Sequence, residues 1–158
     1  VVNCLDDNGD VAYGIRGYYG TDEHMIITVK SPGVLDAVGG VEKGDIIQCR
    51  IDSKNKISNI TMLFSSVNDC GRKMLSGRLC SSGTFAGGTI GDIDYDKCRM
   101  VLDYGSYATF GLNSVNIIWL YNAAHGSVIK GTIADLQTGD YIFIRAYYLQ
   151  LREIVIFK

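Results

Sequence analysis

The chain has 158 residues, 47% of them hydrophobic and 20% charged, so it can bury a core and is not a disordered segment. Its net charge of −2 argues against a nucleic-acid partner, which ordinarily calls for a basic surface. No apolar run approaches the ~20 residues of a membrane-spanning helix. Because the chain begins at Val1 rather than Met, we expect a processed or cropped product from which any export signal has been removed.

The first half of the chain reads as strands and tight turns. After a turn over 6–10, Val11, Tyr13 and Ile15 alternate with smaller or polar residues, which is strand periodicity. The predicted elements that follow are a strand over 24–30, a helical turn over 34–38, and a hairpin whose strands cover 45–51 and 57–64. The polar, turn-rich segment 65–73 then marks a boundary, which predicts an N-terminal unit over 1–68 and a C-terminal unit over 69–158.

The second half continues in the same style. A glycine-rich connection over 81–97 is predicted to be strand only near 90–95. Strands are otherwise predicted over 75–80, 98–104, 108–112, 115–122 and 127–130, before a compact turn at 133–136 and a closing hairpin. No apolar stripe at helical spacing is long enough for a substantial helix. The sequence therefore predicts an all-β fold of two small tandem barrel- or sandwich-like units, of OB- or SH3-like size.

One phrase occurs twice. The segments 41–64 and 136–158 both begin near a Gly-Asp turn, carry an arginine six residues after the glycine, and end in an apolar strand. Arg50 corresponds to Arg145, an offset of 145 − 50 = 95, and the offset is one residue shorter after the hairpin loop, where changes in length are cheapest. This agreement predicts that the two units arose by an internal duplication.

The last third of the chain resembles a known type of module. The strand "IIWLYN", the turn "ADLQTGD" and the ending "REIVIFK" are similar to β-rich repeat modules of Clostridia and other Firmicutes surface proteins, which accompany S-layer homology domains. The resemblance covers about residues 113–158, and the segment 41–64 fits more loosely. It implies an exported, non-catalytic β module on a bacterial envelope. The positions that fit are Asp135, Leu136, Gly139, Asp140, Arg145, Glu153, Ile154, Val155 and Ile156.

Cysteine usage leaves two alternatives open. The five cysteines are Cys4, Cys49, Cys70, Cys80 and Cys98. No CxxC pair is present and there are only two histidines, so a structural zinc site is not predicted. In an oxidising compartment the odd count leaves at least one thiol free or paired between chains; in a reducing one these residues are small buried hydrophobes.

Two motifs resemble ligand-binding loops but lack essential residues. In "DDNGD", the spacing of Asp6, Asn8 and Asp10 matches the start of a calcium loop, but Val11 and Gly17 stand where glycine and glutamate are required. The segment 83–89 has the glycine spacing of a P-loop without its lysine. We interpret the first as a turn and the second as a flexible loop or glycine-rich strand, and we predict no cofactor.

Catalysis and metal binding find no clear support in the remaining motifs. Asp92, Asp94 and Asp96 recur with period two and would share one face of a strand, which is usually a solvated face and alternatively a weak cation site. His24 and His125 have no partner pattern of a ligand or base. No nucleophile motif occurs, so we predict no catalytic residue, no metal ligand and no enzyme activity.

Exposed aromatic residues suggest a binding patch. Tyr147 and Tyr148 lie between Arg145 and Arg152, a pattern that could stack bases, although the acidic total speaks against nucleic acid. The same residues suit a sugar or a protein surface. The candidate patch consists of Tyr18, Tyr19, Arg145, Tyr147 and Tyr148.

The hypothesis from sequence is a structural protein of a bacterial surface assembly, either an S-layer-associated coat or an extracellular filament. It would act by self-association through strand edges, with itself as partner and cell-wall material or glycan as further partners. The candidate pairing residues are Val1, Val2, Cys4, Ile154, Val155 and Ile156. The alternatives are an extracellular glycan- or protein-binding module and a phage or virus structural protein.

Overall fold

The computed structural model describes residues 2–5, 7–19, 22–66, 74–76, 84–103 and 107–158, with the backbone alone at 19, 22–25, 74–76 and 84. By its backbone contacts the chain divides into two compact units, Val1–Val67 (unit 1) and Asn68–Lys158 (unit 2). The sequence-based boundary lies between residues 68 and 69. Nearly every element is a strand, which confirms the prediction of an all-β fold.

Unit 1 contains two small sheets joined by one bridge. Its elements are β1 (Val2–Leu5), β2 (Val11–Tyr19), β3 (Asp22–Thr28), α1 (Pro32–Asp36), β4 (Ile46–Ile51) and β5 (Ile57–Phe64). The strands β1-β2-β3 form one antiparallel sheet and β4-β5 the other. Val29, directly after β3, makes a parallel bridge to Ile57 of β5. The strand order is therefore β1-β2-β3-β5-β4.

A small core holds unit 1 together around α1. Pro32 stands in the first turn of the helix, where its fixed φ suits helical backbone and its missing N–H costs nothing. The helix ends at Asp36, the following Gly39 and Gly40 both have positive φ, and the Gly40 N–H donates to the Leu35 carbonyl at 3.0 Å. The helix thereby places Leu35 in the core, whose buried members are Val29, Leu35, Ile57 and Ile60.

Unit 2 contains a larger set of strands. Its elements are β6 (Met74–Ser76), β7 (Thr84–Asp94), β8 (Arg99–Asp103), β9 (Tyr107–Gly111), β10 (Ile117–Asn122), β11 (Ser127–Lys130), a 3-10 turn (Ile133–Asp135), β12 (Tyr141–Tyr147) and β13 (Gln150–Phe157). The predicted glycine-rich connection is wrong in part, because β7 is already a strand from Thr84. Glycine is required there: a Cβ on Gly88 would lie 2.4 Å from the carbonyl oxygen of Asp103.

Five strands of unit 2 form a ring. β7-β8-β9 is an antiparallel meander, β12 pairs with β7, and β13 pairs with β12. Gln150 of β13 pairs in parallel with Gly111 of β9, and the Gly111 N–H donates to the Leu149 carbonyl at 2.8 Å, which closes the ring. The result is a five-stranded Greek-key barrel, partly open where β9 meets β13. β10 continues the parallel pairing along β13, and β11 forms the outer edge.

The barrel encloses most of the buried apolar side chains of unit 2. The members of this core are Ala86, Ile90, Met100, Leu102, Phe110, Leu112, Ile118, Leu136, Ile142, Ile144, Ala146, Leu151, Ile154 and Ile156. Except for Leu112 and Leu136, which lie outside the strands, they come from inward-facing strand positions, as a sheet with one buried face requires.

The two units share one connectivity. When β7, β8, β9, β12 and β13 are counted as strands one to five, both units have the order one-two-three-five-four, with the third and fifth strands parallel. In both, a short helical turn precedes the fourth strand. The predicted duplication stays a prediction, and the shared strand order is what it would produce.

The repeated Gly-Asp phrase makes the same turn twice. Gly44 has φ 88° and Gly139 has φ 94°, the left-handed conformation that the third position of a type II turn demands. In each turn the aspartate carboxylate accepts the backbone N–H three residues before it, at 2.7 Å for Asp45 and 2.9 Å for Asp140. Glycine and aspartate together therefore fix how the chain enters each hairpin.

The second carboxylate oxygen of each aspartate binds the residue that follows the hairpin. Asp45 accepts the N–H of Ser66 at 2.7 Å and its hydroxyl at 2.8 Å. Asp140 accepts the ammonium group of Lys158 at 2.7 Å. Each aspartate thus joins the beginning and the end of its hairpin, which neither sequence copy reveals by itself.

The second predicted pairing strand is corrected by the structure. Ile154, Val155 and Ile156 lie in β13, which pairs with β12 along one edge and with β10 along the other. Ile154 and Ile156 are also fully buried. These residues have no open edge for another chain, because the parallel partner β10 occupies it. Of the N-terminal candidate pairing residues, Val2 and Cys4 lie in β1, and Val1 is outside the described residues.

The described helices are short. Within the ranges given above, no helix is long and apolar enough to cross a membrane.

Candidate binding surfaces

The strand β1 has one open edge. In the described part of unit 1 it pairs with β2 alone. The Tyr13 carbonyl points toward β3, since it accepts the Val29 N–H at 2.7 Å. In an antiparallel pair the N–H and C=O of one residue point the same way, so Asn3, which is opposite Tyr13, directs both groups away from β2. By the same alternation Leu5 does so too. Within the described residues, Asn3 and Leu5 therefore present backbone groups without a strand partner along the β1 edge.

Apolar side chains flank this edge. Leu5 and Val11 lie directly opposite each other and are 67% and 79% exposed. Tyr13, also exposed, is next along β2. Proteins usually protect an edge strand with lysine, proline or a covering segment. The sequence of β1, Val-Asn-Cys-Leu, contains no charge and no proline.

A second exposed feature is the tip of the β12–β13 hairpin. Tyr148 and Leu149 have φ of 48° and 61°, as the two central residues of a type I′ turn do. Such turns ordinarily use Asn-Gly, and bulky residues in this conformation cost ~1–3 kcal/mol each. The rings of Tyr147 and Tyr148 meet edge to face at 4.5 Å, and both are exposed. The structure therefore brings these two predicted patch residues together at a strained, aromatic tip.

The other residues of the predicted patch lie elsewhere. Arg145 is on the barrel wall, where it forms an ion pair with Glu153 at 2.7 Å. Tyr18 lies in β2 of unit 1 and is half-buried, and the side chain of Tyr19 is outside the described part of the chain. Within unit 2, the patch is thus reduced to the hairpin tip.

The third feature is the outer face of β7, β8 and β9, here called the β7–β9 face. Cross-strand pairing places Asp92, Val101 and Thr109 in one row and Asp94 beside Arg99 in the next. These five residues line a depression of about 140 Å³. The predicted grouping of Asp92, Asp94 and Asp96 is corrected: β7 ends at Asp94, so Asp96 belongs to the following turn.

Charges on the β7–β9 face are partly neutralised. Asp94 pairs with Lys97 at 3.0 Å and with Arg99 at 3.3 Å. The backbone N–H of Lys97, followed by the Lys97 side chain, holds the pKa of Asp94 below its usual range. Asp92 has neither an ion pair nor a hydrogen bond within the described residues. No cluster of three or more His, Cys, Asp or Glu side chains that could hold a metal ion occurs among them.

An aromatic ring and an amide lie on the same β7–β9 face, beside the five residues that line the depression. The ring of Tyr107 is 74% exposed and lies 3.9 Å from where a Cβ on Gly91 would be. The side chain of Gln150 lies over Gly111, beside the row that contains Arg99. Sequence reasoning missed Tyr107, Gln150 and Thr109, because their proximity depends on strand register. The alternation in "RMVLD" and "YATFG" is the signal that could have placed Val101, Thr109 and Tyr107 on one face.

The remaining candidate groups that the structure describes form no site. Cys4, Cys49 and Cys98 are free thiols, and Cys70 and Cys80 lie outside the described residues. Burial raises the pKa of Cys49, which makes its thiol less reactive. The backbone N–H of His125 donates to the side-chain oxygen Oδ1 of Asn122 at 3.1 Å, and the side chain of His24 is not described.

Comparison of the chain with protein-family models, curated proteins and solved structures gave no match.

Proposed function

We propose that this protein is a non-catalytic structural subunit of a bacterial surface assembly, either an S-layer-associated coat or an extracellular filament, and that it works by self-association. The observation that carries the proposal is the β1 edge, with its outward backbone groups at Asn3 and Leu5 and its exposed apolar neighbours Leu5 and Val11. A strand of a second copy would gain main-chain hydrogen bonds there and cover apolar surface.

The comparison of the two units supports this role for β1. In unit 2 the first strand, β7, pairs with the fourth strand, β12, over six residue pairs from Tyr141 to Ala146. In the described residues of unit 1 the corresponding strands β1 and β4 do not pair. The proposed contact supplies the missing partner from a neighbouring molecule. If that partner surface differs from β1 itself, the contact is head-to-tail and the polymer is open.

The proposed location rests on the sequence resemblance. The strand, turn and ending of residues 113–158 resemble modules of Firmicutes surface proteins, and such modules lie outside the cell. A subunit of a phage or virus structure would use the same edge contact. Assembly through the β1 edge is therefore proposed for either source.

Negative-stain electron microscopy with sedimentation velocity tests the proposal. We expect the unaltered protein to form fibres or sheets and Leu5→Lys to remain dispersed, because a charge on an edge strand opposes pairing. Ile129→Lys is the matched control: Ile129 is 63% exposed on β11, the outer edge of the unit 2 sheet. Samples with and without reductant separate disulfide links from strand pairing. Dispersed unaltered protein at high concentration, or equal loss in both variants, would contradict the proposal.

A second candidate function is an extracellular module that binds another protein. The hairpin tip favours this function, since Tyr148 and Leu149 adopt an energetically unfavourable left-handed conformation that projects apolar side chains into solvent. In that case the unaltered protein stays dispersed in the microscope, and Tyr148→Ala rather than Leu5→Lys weakens binding to the partner.

A further inference from the structure

We infer that the β7–β9 face is a carbohydrate-binding site, which takes one neutral, hydroxyl-rich ring of a larger glycan. The inference does not depend on self-association, because the face lies entirely within unit 2 and includes no residue of the β1 edge.

The apolar requirement of such a site is met by Tyr107. One face of a pyranose ring presents C–H groups, which pack against the electron-rich face of an aromatic ring. Tyr107 is the most exposed tyrosine among the described side chains, and its ring lies beside Gly91, one row along the β7–β9 face from Val101 and Thr109. A side chain at Gly91 would fill the space next to this ring, so glycine keeps the platform open.

The polar requirement is met by groups that are not saturated by the protein. Sugar hydroxyls donate and accept hydrogen bonds at the same time. The Asp92 carboxylate accepts, while the Thr109 hydroxyl and the Gln150 amide can do both. Within the described residues none of these three side chains has a protein hydrogen bond. Arg99 donates one N–H group to Asp94, and the same guanidinium has further N–H donors. Hydrogen bonds to the charged groups are the stronger ones.

Other ligand classes fit the face less well. Asp94 is paired with Lys97 and Arg99, which leaves Asp92 as the free carboxylate of the depression and disfavours a metal ion. A nucleic acid would meet two aspartates and a net charge of −2. The depression of about 140 Å³ is well below the ~300–1,000 Å³ of pockets that enclose a drug-sized ligand. It suits one ring of a chain that otherwise stays in solvent, with a Kd on the order of 1 mM.

Saturation-transfer difference NMR tests the inference, because it observes the sugar and works for dispersed and assembled protein alike. The probes are glucose, galactose, mannose and N-acetylglucosamine. We expect a saturable signal for at least one of them. Tyr107→Ala should weaken that binding about tenfold or more, as loss of one stacked ring does, and Asp92→Asn should weaken it several-fold. Tyr148→Ala, which removes a similarly exposed tyrosine from the hairpin tip, should change it less than about twofold.

Three results would overturn the inference. One is the lack of a saturable signal for all four sugars. Another is binding that survives Tyr107→Ala unchanged. The third is binding lost in Tyr148→Ala but kept in Tyr107→Ala, which would assign the sugar to the hairpin tip. Because Tyr107 and Asp92 are exposed, an unchanged circular dichroism spectrum confirms that each variant is folded. If the protein does not self-associate, the same sugar-binding measurements can still be made on the dispersed protein and interpreted in the same way.

Discussion

Unit 1 and unit 2 have the same strand order, but in the described residues only unit 2 closes its strands into a ring. In unit 2 the ring β7-β8-β9-β13-β12 closes, and its interior is filled by a continuous cluster of buried side chains. In the described residues of unit 1 the ring lacks its closing pair, and four buried side chains form the core. Connectivity is therefore set by turns and hairpins that both units share, whereas closure depends on the length and sequence of the first strand.

The lengths of the first strands explain the difference. β7 has eleven residues and is long enough to pair with β12 through its first half and with β8 through its second. β1 has four residues, all of which pair with β2. In the described residues a short first strand leaves β4 paired with β5 alone and leaves the backbone of β1 open on one side. Unit 1 is thus expected to open locally at a lower free energy than unit 2.

The largest expected effect comes from emptying the core of either unit. Phe110 and Ile57 are fully buried in units 2 and 1, and truncation to alanine should cost ~3–5 and ~2–5 kcal/mol of unfolding free energy. Trp119, the sole tryptophan, reports on unit 2 by fluorescence in urea, and mass-spectrometric labelling of Cys49 reports on unit 1. We expect Phe110→Ala to shift the unfolding transition seen by Trp119 fluorescence, and Ile57→Ala to shift the one seen by Cys49 labelling. Equal shifts of both signals in both variants would show that the units unfold as one.

A smaller effect separates crowded from open glycines. Gly88→Ala places a Cβ 2.4 Å from the Asp103 carbonyl oxygen, a backbone atom that cannot move aside, so we expect a loss of ~1–3 kcal/mol or more. Gly17→Ala is the control, since nothing lies within 4 Å of its Cβ position in β2. It should be neutral or slightly stabilising. Urea unfolding of the two variants makes the comparison, and similar losses would argue against the close approach of β7 and β8.

The two Gly-Asp turns allow a comparison of the contacts that their aspartates make. Asp45 accepts three hydrogen bonds, two of them from Ser66, and Asp45→Ala should cost ~1–3 kcal/mol because the half-buried N–H and hydroxyl of Ser66 lose a charged acceptor. Lys158→Met removes the ion-pair partner of Asp140, but the Asp140 carboxylate keeps the N–H of Gln137, so we expect a smaller loss of about 1 kcal/mol. Urea midpoints of both variants test the ranking. A larger loss for Lys158→Met would mean that the second turn, not the first, depends on its closing contact.

Much of the fold could be predicted from the sequence, because local signals determined it. Alternation predicted most strands, Gly-Asp predicted the hairpin entries, and the helical turn predicted over 34–38 overlaps α1. The interior position of β13 could not be predicted, because an apolar strand near a terminus has the same composition at an edge as in the middle of a sheet. The turn at Tyr148 and Leu149 was also hidden, since neither residue carries the glycine or asparagine signal of a type I′ turn.

The candidate site was predicted only in part. Asp92 and Asp94 were expected on one face and are found there, but the bulge in β7 at Gly91 and the register with β8 and β9 decide which partners they meet. Those partners, Arg99 and Thr109, are seven and 17 residues from Asp92 (99 − 92 and 109 − 92). No local pattern specifies such pairings; they follow from the closed ring.

The smallest effect is on pH dependence. Backbone N–H groups of Lys56, Lys97 and Thr132 lower the pKa of Asp52, Asp94 and Asp135 respectively. A carboxyl with a depressed folded pKa stabilises the fold fully above its unfolded value of ~4 and loses that contribution as pH falls through the folded value. These groups should therefore contribute no change between pH 7 and 5 and a decline below pH ~4. Asp135→Asn should flatten the decline seen by Trp119 but not that seen by Cys49 labelling; the opposite pattern would contradict the assignment.

Amide hydrogen exchange as a function of protein concentration tests the central claim, that the β1 edge completes unit 1 by pairing with another copy. We expect the Asn3 and Leu5 amides to exchange rapidly in dilute protein and to become protected as concentration rises, while the Cys4 amide, directed toward β2, is protected throughout. Leu5→Lys should abolish the concentration dependence. Rapid exchange of Asn3 and Leu5 at every concentration, in protein that is visibly assembled, would contradict the account.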